Sequence, residues 1–217
     1  RCALGWAAWK TYVGRPEGDR SRSMAMGLLG IGLSEAEHNE DALSVKEAEL
    51  SLERRLGASE RNILAMQGNL ASTYEKLGKH DQALRMKREV YYGCLKLNGK
   101  EHGDSLVAAT NYASSLNGLQ RFEEAKSLLR ESMPVARRVL GAAHEFTIKM
   151  RWAYAESLCN DPNATLDDVR ECMETFEDLE RTARRVFGGA HPFTMRIEYN
   201  MQKSRAALRA REALGTA

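Results

Sequence analysis

The chain has 217 residues, of which 32 are basic and 30 acidic, so its net charge is only +2. Such a balance creates no overall field that would attract nucleic acid or an anionic membrane, and neither is expected as a partner. The longest apolar run covers residues 24–33, far fewer than the roughly 20 residues that a membrane-spanning helix needs. Partner choice must therefore depend on local surfaces.

The four cysteines lie far apart and form no CxxC pair. This spacing favours scattered thiols in a reducing compartment over a disulfide framework. No leader with a basic and then an apolar segment precedes the first repeat, so we expect a cytoplasmic protein. The residues concerned are Cys2, Cys94, Cys159 and Cys172.

The N-terminal region predicts three helices. Residues 1–14 end like later units of the chain, which indicates the second helix of a unit. A polar linker with Pro16 and Gly18 follows, and residues 24–34 then form a short apolar helix that contains three glycines. The partner of this helix is expected to begin near Glu40.

A long repeat organises the middle of the chain. The segment NLASTYEKLGKHDQAL at residues 69–84 returns 42 residues later as NYASSLNGLQRFEEAK at residues 111–126. Small residues recur at the points where two antiparallel helices must approach closely. A fixed period of two amphipathic helices predicts an all-α solenoid of stacked helix pairs. The recurring small residues are Ala71, Ala83, Ala113 and Ala125.

The fourth unit begins near Glu145 and then breaks the period, because the turn and helix after Cys159 add five residues. Thr165 or Asp167 is expected to cap that helix. A fifth first helix begins at His191, and no second helix follows it. We therefore predict one array with units at residues 20–57, 60–99, 102–141 and 144–188, and half units at residues 1–14 and 191–217.

A family likeness is carried by N-L-A-x-x-Y-x-x-x-G-K-x-x-x-A-L at residues 69–84, L-G-x-x-H-x-x-T at 140–147 and F-G-G-A-H-P-F-T at 187–194. This pattern resembles the long tetratricopeptide repeats of kinesin light chains. HEAT-type repeats share the period, but the small–small pairing and the G-K turn favour the tetratricopeptide interpretation. The resemblance implies a right-handed superhelix whose first helices line a concave groove for an extended peptide or a partner helix.

In that family an asparagine of the first helix commonly binds the peptide backbone, since an amide donates and accepts at once. Carried over to this sequence, the role falls to Asn69 and Asn111, and Asn200 holds the matching place in the last helix. The fourth unit has Ala153 there, so the row is interrupted. An asparagine on a solvated helix face without a ligand is the alternative for any one position.

The C-terminal units add charge and aromatic residues to the same face. Lys149 and Arg196 lie one turn before the asparagine positions, and Trp152 and Tyr199 lie next to those positions. This half of the groove is expected to prefer acidic and apolar side chains of a ligand. Packing is the alternative role of the two aromatic residues.

No catalytic, metal or cofactor site is predicted. His102, His144 and His191 recur at one loop position of successive units, too far apart to bind one zinc ion, and are predicted to be turn residues. The glycine run at residues 27–32 lacks a preceding strand and the order G-x-G-x-x-G, so it indicates helix packing. No nucleophile, base and orienting group are identifiable together.

The sequence therefore predicts a non-catalytic scaffold or adaptor module that holds a peptide along the row of asparagine, lysine and arginine positions. A structural spacer or self-association segment is the alternative, and regulation of an enzyme domain outside these residues is a third hypothesis. In the self-association hypothesis the terminal helices dock onto neighbouring chains through Trp6, Trp9, Ile197 and Leu208.

Overall fold

The computed structural model describes residues 1–215, apart from the side chains of residues 207 and 210–215. Within that range the secondary structure is entirely helical, as predicted, and no helix is long and apolar enough to cross a membrane. The helices are α1 (Cys2–Tyr12), α2 (Arg20–Glu35), α3 (Asn39–Arg55), α4 (Glu60–Lys76), α5 (His80–Asn98), α6 (Gly103–Gly118), α7 (Phe122–Val139), α8 (Glu145–Cys159), α9 (Leu166–Phe187) and α10 (Pro192–Gly215).

The helices form two compact units. Unit 1 comprises residues 1–97, with α1 to α5, and unit 2 begins at residue 98 and contains α6 to α10. The boundary falls next to Gly99, at the end of the second predicted repeat. The single continuous array with the unit boundaries given above stays a prediction.

In unit 1 small residues allow consecutive helices to approach closely. Ala42, Ala71 and Ala83 have no exposed surface. The glycines of α1 and α2 mark the tightest crossing, because a Cβ atom at Gly5 would lie 2.8 Å from the Cα atom of Leu29. A Cβ atom at Gly32 would lie 2.8 Å from a backbone atom of α1. The interpretation of the glycine run at residues 27–32 as helix packing is confirmed at Gly32.

In unit 2 the same scheme has one chemical difference. Ala113, Ala125 and Ala155 are fully buried, and Cys172 takes the place of the small residue on α9. Its Cα atom lies 6.0 Å from that of Cys159 on α8, and the two residues form a disulfide. The expectation of scattered thiols is wrong for this pair, because a close helix crossing brings together cysteines that are 13 residues apart in sequence.

Helix starts show a second recurring device. His102, His144 and His191 each accept the backbone N–H two residues ahead at the ring nitrogen Nδ1, with distances of 3.1–3.2 Å. These histidines therefore satisfy N–H groups at the starts of α6, α8 and α10 that have no partner within the helix. The prediction of turn residues identified their place but missed their role as caps.

The observed start of α2 differs from its prediction, whereas the predicted cap of α9 agrees with the structure. The helix predicted from residue 24 begins at Arg20, because the Asp19 carboxylate accepts the N–H groups of Ser21 and Arg22. The predicted cap at Thr165 is confirmed, and it forms a reciprocal capping box with Asp168.

The inserted turn after α8 is held to the neighbouring helix by a buried ion pair. The Lys126 ammonium lies 2.9 Å from the Asp161 carboxylate, and both side chains are about 5% exposed. Hydrogen bonding from Lys126 lowers the pKa of Asp161. The Cys159–Cys172 bond and the capping box at Thr165 lie on either side of this contact, so the insertion is fixed at three points.

Substitution of Gly32 by Ala tests the close crossing of α1 and α2. The added methyl group meets backbone atoms that cannot rotate away, so we expect Gly32→Ala to lower the free energy of unfolding by about 1–3 kcal/mol. Gly68→Ala is the matched control, because position 68 is also helical but has open space around it. That variant should be neutral or stabilising by up to ~1 kcal/mol in a denaturant titration. Equal effects of the two substitutions would contradict the tight crossing.

Reduction tests the bond between α8 and α9. A crosslink that closes a loop of this length should contribute about 2–3 kcal/mol, so reductant should lower the denaturation midpoint of the wild-type chain. The double variant Cys159→Ser/Cys172→Ser should show the lower midpoint and no response to reductant. Titration of all four cysteines as thiols in the unreduced, denatured protein would contradict the bond.

Candidate functional site

The aromatic and basic residues predicted for the groove meet in unit 2. The Trp152 ring on α8 contacts Phe193 edge-to-face, with 4.8 Å between ring centroids. The Arg196 guanidinium on α10 lies over the same ring, 4.5 Å from its centroid. The indole nitrogen of Trp152 is buried and has no hydrogen-bond partner among the described residues. Trp152 therefore packs between helices and also supports the basic residue above it.

A small cavity of about 60 Å³ lies beside this cluster. Asn200 and Lys203 of α10 and Glu156 of α8 form part of its wall. Burial raises the pKa of Glu156, and the positive charge of Arg196 acts in the opposite direction. An amide, an ammonium and a carboxyl group therefore lie on the wall of one small cavity.

Lys149 and Tyr199 occupy the edges of this region. Lys149 is half-buried, forms an ion pair with Glu145 and lies 5.6 Å from the centroid of the Phe146 ring. Its hydrogen bond lowers the pKa of Glu145. Tyr199 is 67% exposed, so for this residue the packing alternative is wrong and its ring is accessible to a ligand.

Asn111 lies on α6 of the same unit and is exposed. Its side chain forms no hydrogen bond among the described residues. By contrast, the side-chain amide of Asn117 on the same helix donates to the carbonyl oxygen of Ala153 on α8 at 2.7 Å. This bond ties α6 to α8 and leaves Asn111 available to a partner.

Asn69 is the predicted site residue of unit 1. It is exposed on α4 and contributes to the wall of a cleft of about 230 Å³ between α2, α3 and α4. Met66 and Asn62 of α4 also line this cleft, and Glu49 reaches it from α3. Glu49 lies on a second helix, so a groove lined by first helices does not predict it as a site residue.

The pKa of the Glu49 carboxyl group lies well above its ordinary value. The pKa is raised to about 7, mainly by burial and also by the neighbouring Glu53 carboxylate, while the Lys46 ammonium opposes the shift. An added Cβ at Gly27 would lie 2.8 Å from a Glu49 carboxylate oxygen. The Glu49 carboxyl group therefore packs closely on the backbone of α2 at Gly27.

The terminal residues assigned to self-association do not form one exposed surface. Ile197 is fully buried in unit 2, and Trp9 packs against Leu29 and Leu33 of unit 1. Their assignment as docking residues is wrong, because each completes the core of its own unit. Trp6 is 44% exposed and Leu208 is half-buried.

Histidines and acidic residues do not converge on a metal site. Among the residues with described side chains, no group of three or more histidine, cysteine, aspartate or glutamate residues is placed to hold a metal ion.

The helix pairs, capped starts and small-residue crossings define a helical-repeat protein. A family model described as Tetratricopeptide repeat matches residues 63–104 and 105–145, which are the two central units. Residues 63–145 therefore contain two tetratricopeptide repeats. Helical-repeat arrays of this class serve as protein-interaction modules. Comparison with curated proteins by sequence gives no match.

Solved structures share this fold at low sequence identity. A Podosopora anserina protein described as a kinesin light chain with nearly identical TPR-like repeats is 18% identical, with 85% of each chain covered and a TM-score of 0.67. BtubC (BKLC) from P. vanneervenii is 16% identical over 100% of this chain and 91% of its own, with a TM-score of 0.67. A Rap protein complexed with Competence and Sporulation Factor is 13% identical over 96% of this chain and 58% of its own, with a TM-score of 0.57.

The raised pKa of Glu49 predicts a pH dependence of stability. Between the ordinary value of 4.5 and about 7 the folded protein keeps a proton that the unfolded chain releases, so the free energy of unfolding falls as pH rises through this window. Glu49→Gln should remove this contribution and be more stable than wild type at pH above 7 by about 1–2 kcal/mol, because solvent screens part of the effect. Urea titrations of both proteins at several pH values measure the difference. Parallel pH profiles would contradict it.

Proposed function

We propose that the chain is a non-catalytic scaffold or adaptor module that binds an extended peptide or a partner helix along its first helices. One observation carries this proposal. Asn69 and Asn111 stand at the same place of consecutive repeats, 42 residues apart, and both are exposed without a hydrogen-bond partner among the described residues. An amide in that position can accept a backbone N–H and donate to a backbone carbonyl.

The chemistry of unit 2 supports a preference for acidic and apolar side chains in that part of the ligand. Arg196 supplies a cation above an aromatic ring, and Tyr199 supplies an exposed ring on the same helix. Arginine and tyrosine are frequent anchors of protein interfaces, because they combine apolar area with hydrogen-bonding capacity. Lys149 and Asn200 extend the same chemistry, so all four residues belong to the proposed contact surface.

The comparisons support a protein ligand at the level of the fold. The Rap protein of similar fold was solved in complex with Competence and Sporulation Factor. We propose that this chain also binds a partner, without proposing that it is the same partner. The cytoplasmic location also stays a proposal, and the Cys159–Cys172 bond weighs against it, since disulfides persist mainly in oxidising compartments.

Self-association is the second candidate function. Exposed apolar side chains of α1 and α2 favour it, among them Leu4 at 73% and Leu28 at 52% exposure. Sedimentation at increasing concentration distinguishes the two functions, because a monomer that retains peptides supports the adaptor module alone.

Removal of the two asparagine amides tests the peptide-binding proposal. Asn69→Ala/Asn111→Ala should lower the retention of a random dodecapeptide pool by about tenfold or more, since each lost hydrogen bond weakens binding by ~1 kcal/mol. Its thermal stability should fall by no more than ~1 kcal/mol, because both side chains are exposed.

The matched control is Gln82→Ala/Asn163→Ala, which removes exposed amides from a second helix and a loop. Retention of the same pool by this control should equal that of wild type. Equal retention by all three proteins would contradict the proposal that Asn69 and Asn111 bind the peptide.

A further inference from the structure

We propose that the cleft between α2, α3 and α4 of unit 1 binds a lysine or arginine side chain of a partner peptide, with the Glu49 carboxylate as its counter-ion. This inference rests on the proposed peptide-binding function and assigns one part of the ligand. It differs from the preference for acidic residues proposed for unit 2.

The cleft has room for one long side chain. Its volume is about 230 Å³, and its wall includes Gly27 and Ile31 of α2 and Met66 and Asn69 of α4. Glu49 of α3 also lines it. A second cleft of about 480 Å³ adjoins the first and shares Glu49 and Met66 with it. A side chain that enters the cleft therefore meets the Glu49 carboxyl group in its wall.

Glu49 differs from the acidic residues around it because it has no hydrogen-bond or ion-pair partner among the described residues. Glu53 accepts the hydroxyl of Ser23, and Glu17 pairs with Arg55 at 3.0 Å. Glu47 accepts the hydroxyl of Tyr74, and Glu75 pairs with Lys87, each at 2.5 Å. Glu49, the half-buried acid in the wall of the cleft, therefore has carboxylate oxygens that accept no hydrogen bond from the described residues.

The nearby cations do not neutralise this carboxylate. Lys46 also lines the cleft, but its ammonium donates to the Thr73 hydroxyl at 2.8 Å. Lys76 donates to the backbone oxygen of Ser34 at 2.7 Å. Arg20 lines the adjoining cleft and not this one. A ligand cation would supply the donors that the protein withholds.

The energetics favour a cation over other ligands. A half-buried carboxylate without a donor bears a desolvation cost, which a charge-assisted hydrogen bond offsets. An acidic ligand would meet Glu49 and, through the adjoining cleft, Glu53 and Glu17. A lysine or arginine also carries methylene groups, which can pack on Ile31, Ala65 and Met66 while the charged end reaches the carboxylate.

The position of Asn69 connects this site to a peptide backbone. Asn69 is exposed and belongs to the wall of the same cleft. Its amide can therefore bind the main chain of the residue whose side chain enters the cleft.

Peptide pools with one fixed residue test the assignment. The probes are four fluorescent pools of dodecapeptides, random except for a central Lys, Arg, Glu or Ala, applied to the immobilised full chain. Wild type should retain the Lys and Arg pools about tenfold better than the Ala pool, as a charge-assisted hydrogen bond requires. Glu49→Gln should reduce this retention to that of the Ala pool. Glu89→Gln, an exposed residue of α5 with the same change of charge, should behave as wild type.

A pH series separates binding from the effect of Glu49 on stability, because stability falls as Glu49 loses its proton whereas retention of a cation should rise. Retention of the Lys pool should increase as pH rises through about 7, where Glu49 loses its proton, and Glu49→Gln should show no such increase. Lys46, Glu53, Arg20, Glu17 and Lys76 surround the site and are unchanged in both proteins. Thermal melting verifies that the variant is folded.

The outcomes separate this site from the general function. Equal retention of the Lys, Glu and Ala pools that still depends on Asn69 and Asn111 would overturn the cation site and leave the peptide-binding function intact. Loss of Lys-pool preference in Glu89→Gln as well as in Glu49→Gln would also overturn it, since net charge alone would then decide. Failure to retain any pool would overturn both proposals.

Discussion

Close approach of paired helices is the constraint on which this structure depends. At each crossing a residue without exposed surface must also be small, and alanine fills the position on α3, α5 and α7 at residues 42, 83 and 125. A larger side chain would separate the helices and reduce the apolar contact that stabilises a repeat, since a repeat cannot bury its faces alone. The place of Cys172 in this series explains why the one disulfide among the described residues joins α8 to α9.

The repeat made much of the fold predictable, because period, small residues and turn glycines recur together. Gly78 ends α4 with a positive φ of 72°, as its sequence context indicates. The equivalent positions, Glu37 and Gln120, adopt the same left-handed conformation without being glycine. The backbone geometry is therefore fixed by the helix pair, and the residue type only partly reports it.

The candidate site was predictable where it lies on first helices and was missed where it does not. Asn69, Asn111 and Tyr199 are exposed as expected from their phase in the repeat. The carboxyl group of Glu49 comes from a second helix and lies in space that a side chain at residue 27 would enter. A single-helix periodicity carries no signal for such a contact, since it depends on what a neighbouring helix lacks.

The two units differ in the charged groups that line their candidate ligand surfaces. In unit 2 the arginine at position 196 is supported by an aromatic ring, and its charge offsets part of the desolvation of Glu156. In unit 1 the Lys46 ammonium likewise opposes the raised pKa of Glu49, but it donates its hydrogen bond to the Thr73 hydroxyl. Each acid therefore has one cation nearby, and the ligand chemistry of each surface depends on the groups that line it: Arg196 and Tyr199 in unit 2, and the Glu49 carboxyl group in unit 1.

The buried contact between Lys126 and Asp161 bears on how such arrays change over evolutionary time. Residues added between helices ordinarily lie in loops, which are more mobile than the helices they connect. Here the extra length is anchored on the flank of α7, so the next histidine cap at position 191 recurs in its usual setting. A repeat protein can thus gain residues between two helices while the next repeat still starts with the same helix cap.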